Sequence, residues 1–414
     1  MAIDEAPPGS PPPDRAWPPH PAAASQAGRA VALFLTGFGT FLTLYAPQPL
    51  LPLFRQLFHA SELLVSLTVT ASVLAVAMAA PLVGLLADAL GRKRVIVAAM
   101  IGQALPTFLA ATASGLPGLI LWRFLQGLFI PGIIAVAMAY ISEESPAHAV
   151  ASTMATYVAG NVVGGFSGRF ISGWVAFRWG WRAAFVLLGA AALLSALVTW
   201  WLLPGSTRFI RQRTAFASLL AFREHLHNPQ LLATYAVGFN VLFFQVASFT
   251  YVNFYLADEP FGLSPAALSS IFAVYLIGAA VTPAAGRIID RIGYRRAVVG
   301  AICLAGAGTL LTLVHALPVV IAGLTLSCTG VFACQSAAAS HVGEAAGHAR
   351  SSAAGLYVSL YYLGGGVGSV APGLLWNRFG WIGCVGLILA VQAVTAVIAY
   401  TLWKDRPRFA AARP

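Results

Sequence analysis

Apolar stretches of membrane length recur along almost the whole chain, at approximately residues 29–53, 62–88, 95–114, 116–142, 149–174, 182–203, 231–257, 264–289, 296–315, 317–342, 349–376 and 382–403. Crossing the hydrocarbon core takes ~20 mainly apolar residues. The pattern therefore predicts an all-α integral membrane protein with twelve transmembrane helices, six on each side of one long polar break. That break, residues 205–229, carries Arg208, Arg211, Arg213, Arg223, Glu224, His225 and His227. It separates a 29–204 bundle from a 230–404 bundle and reads as a cytoplasmic central loop. Residues 1–28 hold eight prolines and no apolar run, which predicts a disordered cytoplasmic tail rather than a signal peptide. Residues 405–414 form a second, short cytoplasmic tail.

Composition agrees with this pattern. Of 414 residues, 59% are hydrophobic and 9% charged, whereas a soluble domain carries about 25% charged residues to solvate its surface. The net charge of +11 would in a soluble protein suggest nucleic-acid binding. Its distribution argues against that. With the N-terminus inside, one side collects Arg15, Arg29, Arg92, Lys93, Arg94, the four central-loop arginines, Arg287, Arg291, Arg295, Arg296, Arg350, Lys404, Arg406, Arg408 and Arg413, while the other receives Arg55, Arg178, Arg182 and Arg378. Cytoplasmic loops carry such an excess, so both termini are expected in the cytoplasm and no nucleic-acid partner is implied. Cys303, Cys328, Cys334 and Cys384 all lie in apolar stretches, as free thiols without metal-ligand spacing.

The chain repeats itself. Gly84, Asp88, Gly91 and Arg94 recur 202 residues later as Gly286, Asp290, Gly293 and Arg296, with Tyr294 and Arg295 where Arg92 and Lys93 stand. At an offset of 200, Glu144, His148, Ser152, Tyr157, Gly164, Gly165, Gly168, Gly173, Arg178, Gly180 and Trp181 match Glu344, His348, Ser352, Tyr357, Gly364, Gly365, Gly368, Gly373, Arg378, Gly380 and Trp381. These identities make the halves parallel, duplicated six-helix units.

The stretch Gly84 to Arg94 resembles the loop motif of the major facilitator superfamily between its second and third helices, and Gly286 to Arg296 resembles the weaker copy between the eighth and ninth. The run Leu121 to Gly127, with Arg123 and Gln126, is similar to the family's second motif. Thr43 to Pro52 and Gly160 to Arg169 look most like the bacterial YnfM-like branch, grouped with arabinose-efflux and drug:proton antiporters. The resemblance implies two pseudo-symmetric six-helix bundles in a bacterial inner membrane. It further implies that Asp88 meets the start of span 11, near residues 349–352, and latches the inner gate. Glu143 and Glu144, which end the fourth span beside the same loop, are candidate partners for Arg92 or Arg94; Glu344 could play that part for Arg295 or Arg296, and Asp290 repeats Asp88. A topogenic basic loop with incidental acids is the alternative.

Arg123 and Arg169 are the charged residues placed well inside spans, and an intramembrane ionisable group is by default a functional-site hypothesis. Each is expected either to bind backbone carbonyls freed by the Pro47-Gln48-Pro49 distortion or the glycine-rich fifth span, or to attract an anionic substrate or serve proton coupling. In the implied fold, spans 1, 4, 7 and 10 line a central cavity. The candidate substrate contacts are Arg123, Gln126, Tyr45, Gln48, Asn161, Asn240, Gln245, Asn253, Gln335 and Tyr361, a set of amides, rings and a cation that suits a neutral or anionic, partly apolar molecule. Two departures from the family pattern stand out. Span 5 has Gly164-Gly165 where the antiporter signature has Gly-Pro, and spans 1, 4, 7 and 10 carry no mid-membrane carboxylate. The remaining titratable positions are His341, His315, Glu62, Asp258 and Glu259, each near a span end.

No nucleophile, metal cluster or acid pair suggests an enzyme. Gly364 to Gly368 lies in a span and is a packing element, not a phosphate loop. The sequence is thus expected to encode a monomeric, cofactor-free secondary transporter that works by alternating access on a small organic molecule. Proton-gradient-driven efflux is the implied mode. An uptake permease or uniporter for a small organic anion, and a transport-inactive receptor-like relative, stay open.

Overall fold

The structure is a computed structural model. It describes residues 26–206, 224–225, 227–346 and 350–403, and the side chains of these except 81–90, 147, 282–283, 285–286, 289–290, 343–344 and 350–352. Most of the predicted tails and of the 205–229 loop lies outside the described residues.

The described chain is helical throughout. In order, α1 runs Gln26–Leu44 and resumes through a 3-10 turn, Gln48–Leu50, into Leu51–Leu57; α2 is Glu62–Leu90, α3 Arg92–Ala110, α4 Leu116–Glu144, α5 Val150–Trp179 and α6 Trp181–Leu202. The second half repeats this with α7 Pro229–Ala257, α8 Pro265–Ile271 continued by Val274–Ile292, α9 Tyr294–Leu311 and α10 Leu317–Ala345. The last helical stretch, Arg350–Leu402, is two helices, α11 and α12, broken at Gly380, whose φ of 55° and ψ of −143° are non-helical. Counting this stretch once, nine described helices are long and apolar enough to cross a bilayer. Val150–Trp179 is long enough but diluted by glycine and serine, and α8 is interrupted at residues 272–273. These elements are consistent with twelve spans.

Two differences from the sequence pattern have plain causes. Helix α1 begins at Gln26, inside the stretch expected to be tail, where Arg29 anchors it by donating to the Glu144 carbonyl and Ser145 Oγ. The same span is not continuous: Pro47 and Pro49 lack the N–H that would continue the ladder, so the helix stops at Leu44 and turns before restarting.

The repeat is visible in the backbone. Gly91 and Gly293 take φ of 88° and 85° at the turn joining the second and third helix of each half, a conformation open to glycine but strained for other residues. In the fifth helix of each half, a methyl group at Gly164 would collide with the Phe38 carbonyl and one at Gly364 with the Phe239 carbonyl. Small residues thereby let α5 rest directly on α1, and α11 on α7.

The end of the molecule that carries Gly91 and Gly293 is called the basic end below. The described hydrogen bonds between the halves lie toward the other end. Ser369 Oγ donates to the Ser66 carbonyl at 3.2 Å, Tyr251 OH donates to Ser66 Oγ at 3.5 Å and Gln48 Nε2 to Thr250 Oγ1 at 3.3 Å. Gly173 of α5 packs on Pro265 and Ser269 of α8, and Gly373 of α11 on Leu63 of α2. At the basic end Arg92 packs with Glu143 in one half, and Asn228 donates to the Ala345 carbonyl in the other. The described contacts thus join the halves at the end opposite Gly91 and Gly293.

Candidate functional site

Arg123, in the middle of α4, is fully buried. Its donors go to backbone. Nε donates to the Thr68 carbonyl at 3.1 Å and Nη1 to the Thr43 carbonyl at 2.9 Å; Nη2 donates to the Leu44 carbonyl, and Nη1 also to Gln126 Oε1. The Thr43 carbonyl is the one that would accept from residue 47, and residue 47 is proline. Arg123 therefore supplies the donor that Pro47 lacks and places a positive charge at the C-terminus of a helix ending within the membrane. Gln126 completes the clamp by donating Nε2 to Thr43 Oγ1 at 2.6 Å.

Arg169, in α5, is built differently. It is 4% exposed, and its Nε donates to Gln48 Oε1 at 2.7 Å and its Nη1 to the Gly165 carbonyl at 2.8 Å. Nη2 hydrogen-bonds to no described group. Three rings enclose the guanidinium, Tyr45 at 4.8 Å, Phe272 at 4.9 Å and Tyr275 at 4.8 Å from the ring centroids. Phe272 and Tyr275 belong to the second half, and so does Thr250, which Gln48 engages. No described carboxylate contacts this cation. Further rings extend the box: Phe41 lies 6.5 Å from Tyr45, and Phe332 lies 6.0 Å from Tyr275. Half-buried Tyr361 lies beside Tyr357, tilted, and edge-on to Tyr362.

The other expected contacts are dispersed. Asn161 is half-buried, with Oδ1 unpartnered beside Gly37. Asn240 is buried with Oδ1 unpartnered. Asn253 donates to the Phe249 carbonyl of its own helix. Gln245 is buried, Gln335 half-buried.

At the basic end, Arg92 grips Glu143 with two bonds, Nε to Oε2 at 3.1 Å and Nη2 to Oε1 at 2.8 Å. The Glu144 carbonyl accepts from Arg29. Arg94 is exposed, and Arg295 lies 3.8 Å over the Tyr400 ring. The side chains of Asp88, Asp290 and Glu344 lie outside the described residues. His341 is packed inside the second half, with Nδ1 2.8 Å from Thr234 Oγ1 and its ring against Trp403.

A cross-half ion pair was not anticipated in the sequence. Arg55, at the end of α1, pairs with Asp258, just past α7, through Nη1 to Oδ2 at 3.1 Å and Nη2 to Oδ1 at 2.5 Å, and with Glu62 at 2.9 Å. The signal was the repeat: Arg55 and Asp258 occupy corresponding helix ends with opposite charges, and Gln48, in the turn of α1, corresponds to Thr250 within helix α7.

A family model described as Major Facilitator Superfamily matches residues 33–259 and 241–414. The chain is 35% identical to the inner membrane transport protein YnfM of Escherichia coli, over 90% of this chain and 89% of that one. It is 32% identical to the uncharacterized MFS-type transporter YybF of Bacillus subtilis, over 90% and 91%. Among solved structures, a bacterial homolog to the human lysosomal transporter Spinster, in an inward-facing and unoccupied conformation, aligns with a TM-score of 0.76 at 17% identity, over 93% of this chain and 100% of that one.

Proposed function

The chain belongs to the Major Facilitator Superfamily, and from that premise we propose that it exports a small, partly apolar organic molecule, neutral or anionic, across a bacterial inner membrane in exchange for protons. It is a multi-pass membrane protein and a secondary transporter of the superfamily type. In this reading the basic end is cytoplasmic, both termini lie there, and the protein works as a monomer with the proton gradient as its driving force.

The observation that carries the reading is the one-sided seal. Arg55 with Asp258, Gln48 with Thr250 and Ser369 with Ser66 join the halves at the end opposite the basic loops. Two rigid bundles held this way are arranged to rock about a site between them. Closing the cytoplasmic end is assigned to Asp88, Asp290 and the neighbouring loop residues Arg92, Arg94, Glu144, Arg295 and Glu344. In this reading Gln48, Tyr45, Tyr361 and Arg169, with Asn161, Asn240, Gln245 and Gln335, are assigned to the substrate site between the halves.

The test is flux of candidate solutes in proteoliposomes with and without an imposed pH gradient. Solute movement opposite to the proton gradient and abolished by collapsing it is expected. Flux indifferent to the gradient would make the protein a uniporter, and specific binding without flux would remove the transport assignment.

A further inference from the structure

Arg169 is the cation of the site that retains unused binding capacity. Its charge is nearly buried, no described carboxylate neutralises it, and two of its three nitrogens are committed to Gln48 and Gly165. The third, Nη2, has two N–H groups and no described acceptor. A mostly buried guanidinium attracts an anion, because water screens it less than at the surface and a charge-assisted bond is short and strong there. With one N–H of Nε and one of Nη1 used, the N–H groups left on Nη1 and Nη2 can still take a carboxylate.

The surroundings define the rest of the ligand. Tyr45, Phe272 and Tyr275 stand around the guanidinium, and Phe41 and Phe332 continue the aromatic lining. Such rings favour a flat conjugated body by offset or edge-to-face stacking. We propose that Arg169 is the anion receptor of the transport site and that the substrate is an aromatic carboxylate. This rests on the transporter reading above and narrows its substrate class.

The geometry also couples binding to movement. Tyr45 and Gln48 come from the first half, Phe272 and Tyr275 from the second, so Arg169 helps hold α5 against α8 through its charge. A carboxylate that pairs with Nη2 draws that charge away from the rings. Occupancy by the right anion thereby loosens the sealed end, and a neutral or cationic molecule of the same shape does not.

The experiment measures equilibrium binding to the purified protein in nanodiscs, by quenching of intrinsic fluorescence, with benzoate and 2-naphthoate as probes. Cyclohexanecarboxylate, benzyl alcohol and benzylammonium serve as comparisons that remove the ring, the charge, or reverse the charge. Expected is saturable binding of both aromatic carboxylates, at least tenfold weaker binding of each comparison, and a loss of tenfold or more for 2-naphthoate in Arg169→Gln with partial retention in Arg169→Lys. The ligand series on the unmodified protein decides the matter even if a variant fails to fold. Equal binding of benzyl alcohol or benzylammonium, or undiminished 2-naphthoate binding to a folded Arg169→Gln, overturns the proposal. Because binding is read without flux, its failure is distinct from failure of the transport reading: a proteoliposome that moves a sugar or a cation but ignores 2-naphthoate keeps the transporter and discards this substrate class.

Discussion

Arg123 and Arg169 are the same side chain, each inside a helix of the first half, and they do opposite things. Arg123 spends its hydrogen bonds on carbonyls of α1 and α2 and on Gln126, all in its own half. Arg169 touches both halves, leans on three rings and keeps a nitrogen unused. The contrast teaches that a buried charge in a membrane is not a site by virtue of burial. What matters is whether its donors are consumed by the fold or left facing a place that changes between conformations.

Substitutions can break this contrast. The largest effect is expected from Arg123→Leu, which strips donors from three backbone carbonyls in a medium with no water to replace them. Bonds to charged groups contribute ~1.5–3 kcal/mol each and do not add simply, so a loss of about 3 kcal/mol or more should appear as a large fall in the melting temperature of the detergent-purified protein. Arg123→Lys should not restore it, since one ammonium cannot reproduce the planar fork; a lysine variant melting like the parent would refute the structural role. Arg169→Gln should show the reverse profile: loss of ligand binding and flux with a smaller fall in melting temperature, because the loss of its two hydrogen bonds and its cation–π contacts is offset by relief of a buried charge that no described carboxylate neutralises. Comparable melting shifts in the two variants would erase the distinction.

Smaller effects sharpen it. Gln126→Ala should destabilise by ~1 kcal/mol, and combined with Arg123→Leu it should add little, because both belong to one clamp; full additivity in thermal melts would count against the clamp. Arg55→Gln removes a cross-half pair that is partly exposed, with Asp258 at 45% and Arg55 at 23% side-chain exposure, so its worth is at most about 1 kcal/mol. Melting should barely move. Spin-label distances across the sealed end should nonetheless gain a longer component, and an unchanged distribution would exclude Arg55 from holding that end.

Much of this was legible in the chain. Apolar runs of membrane length and the repeat at offsets of 200 and 202 are written in one dimension, and they lead directly to α1–α12 and to the paired turns at Gly91 and Gly293. The carbonyl-binding option for Arg123 was also readable, since Pro47 and Pro49 must leave acceptors without donors. The neighbours of Arg169 were not, because Phe272 and Tyr275 reach it from the other half and nothing local to residue 169 announces them. Arg55 and Asp258 read as solvated helix ends when each is taken alone; only the pseudo-twofold relation brings them face to face. Whether Glu143 or Glu144 meets Arg92 depends on 100° of helical phase at the end of α4, finer than an apolar pattern resolves.

The interrupted helix α1 also bears on how the protein is made. Chains enter the membrane from the N-terminus onward, so α1 and α2, with the Thr43, Leu44 and Thr68 carbonyls, are in place before α4 emerges with Arg123. The costliest charge of the first half is thus delivered to acceptors already waiting for it. A circular permutation that placed α4 ahead of α1 would keep every contact of the finished bundle and yet ask the insertion machinery to hold a guanidinium in lipid with nothing to bind.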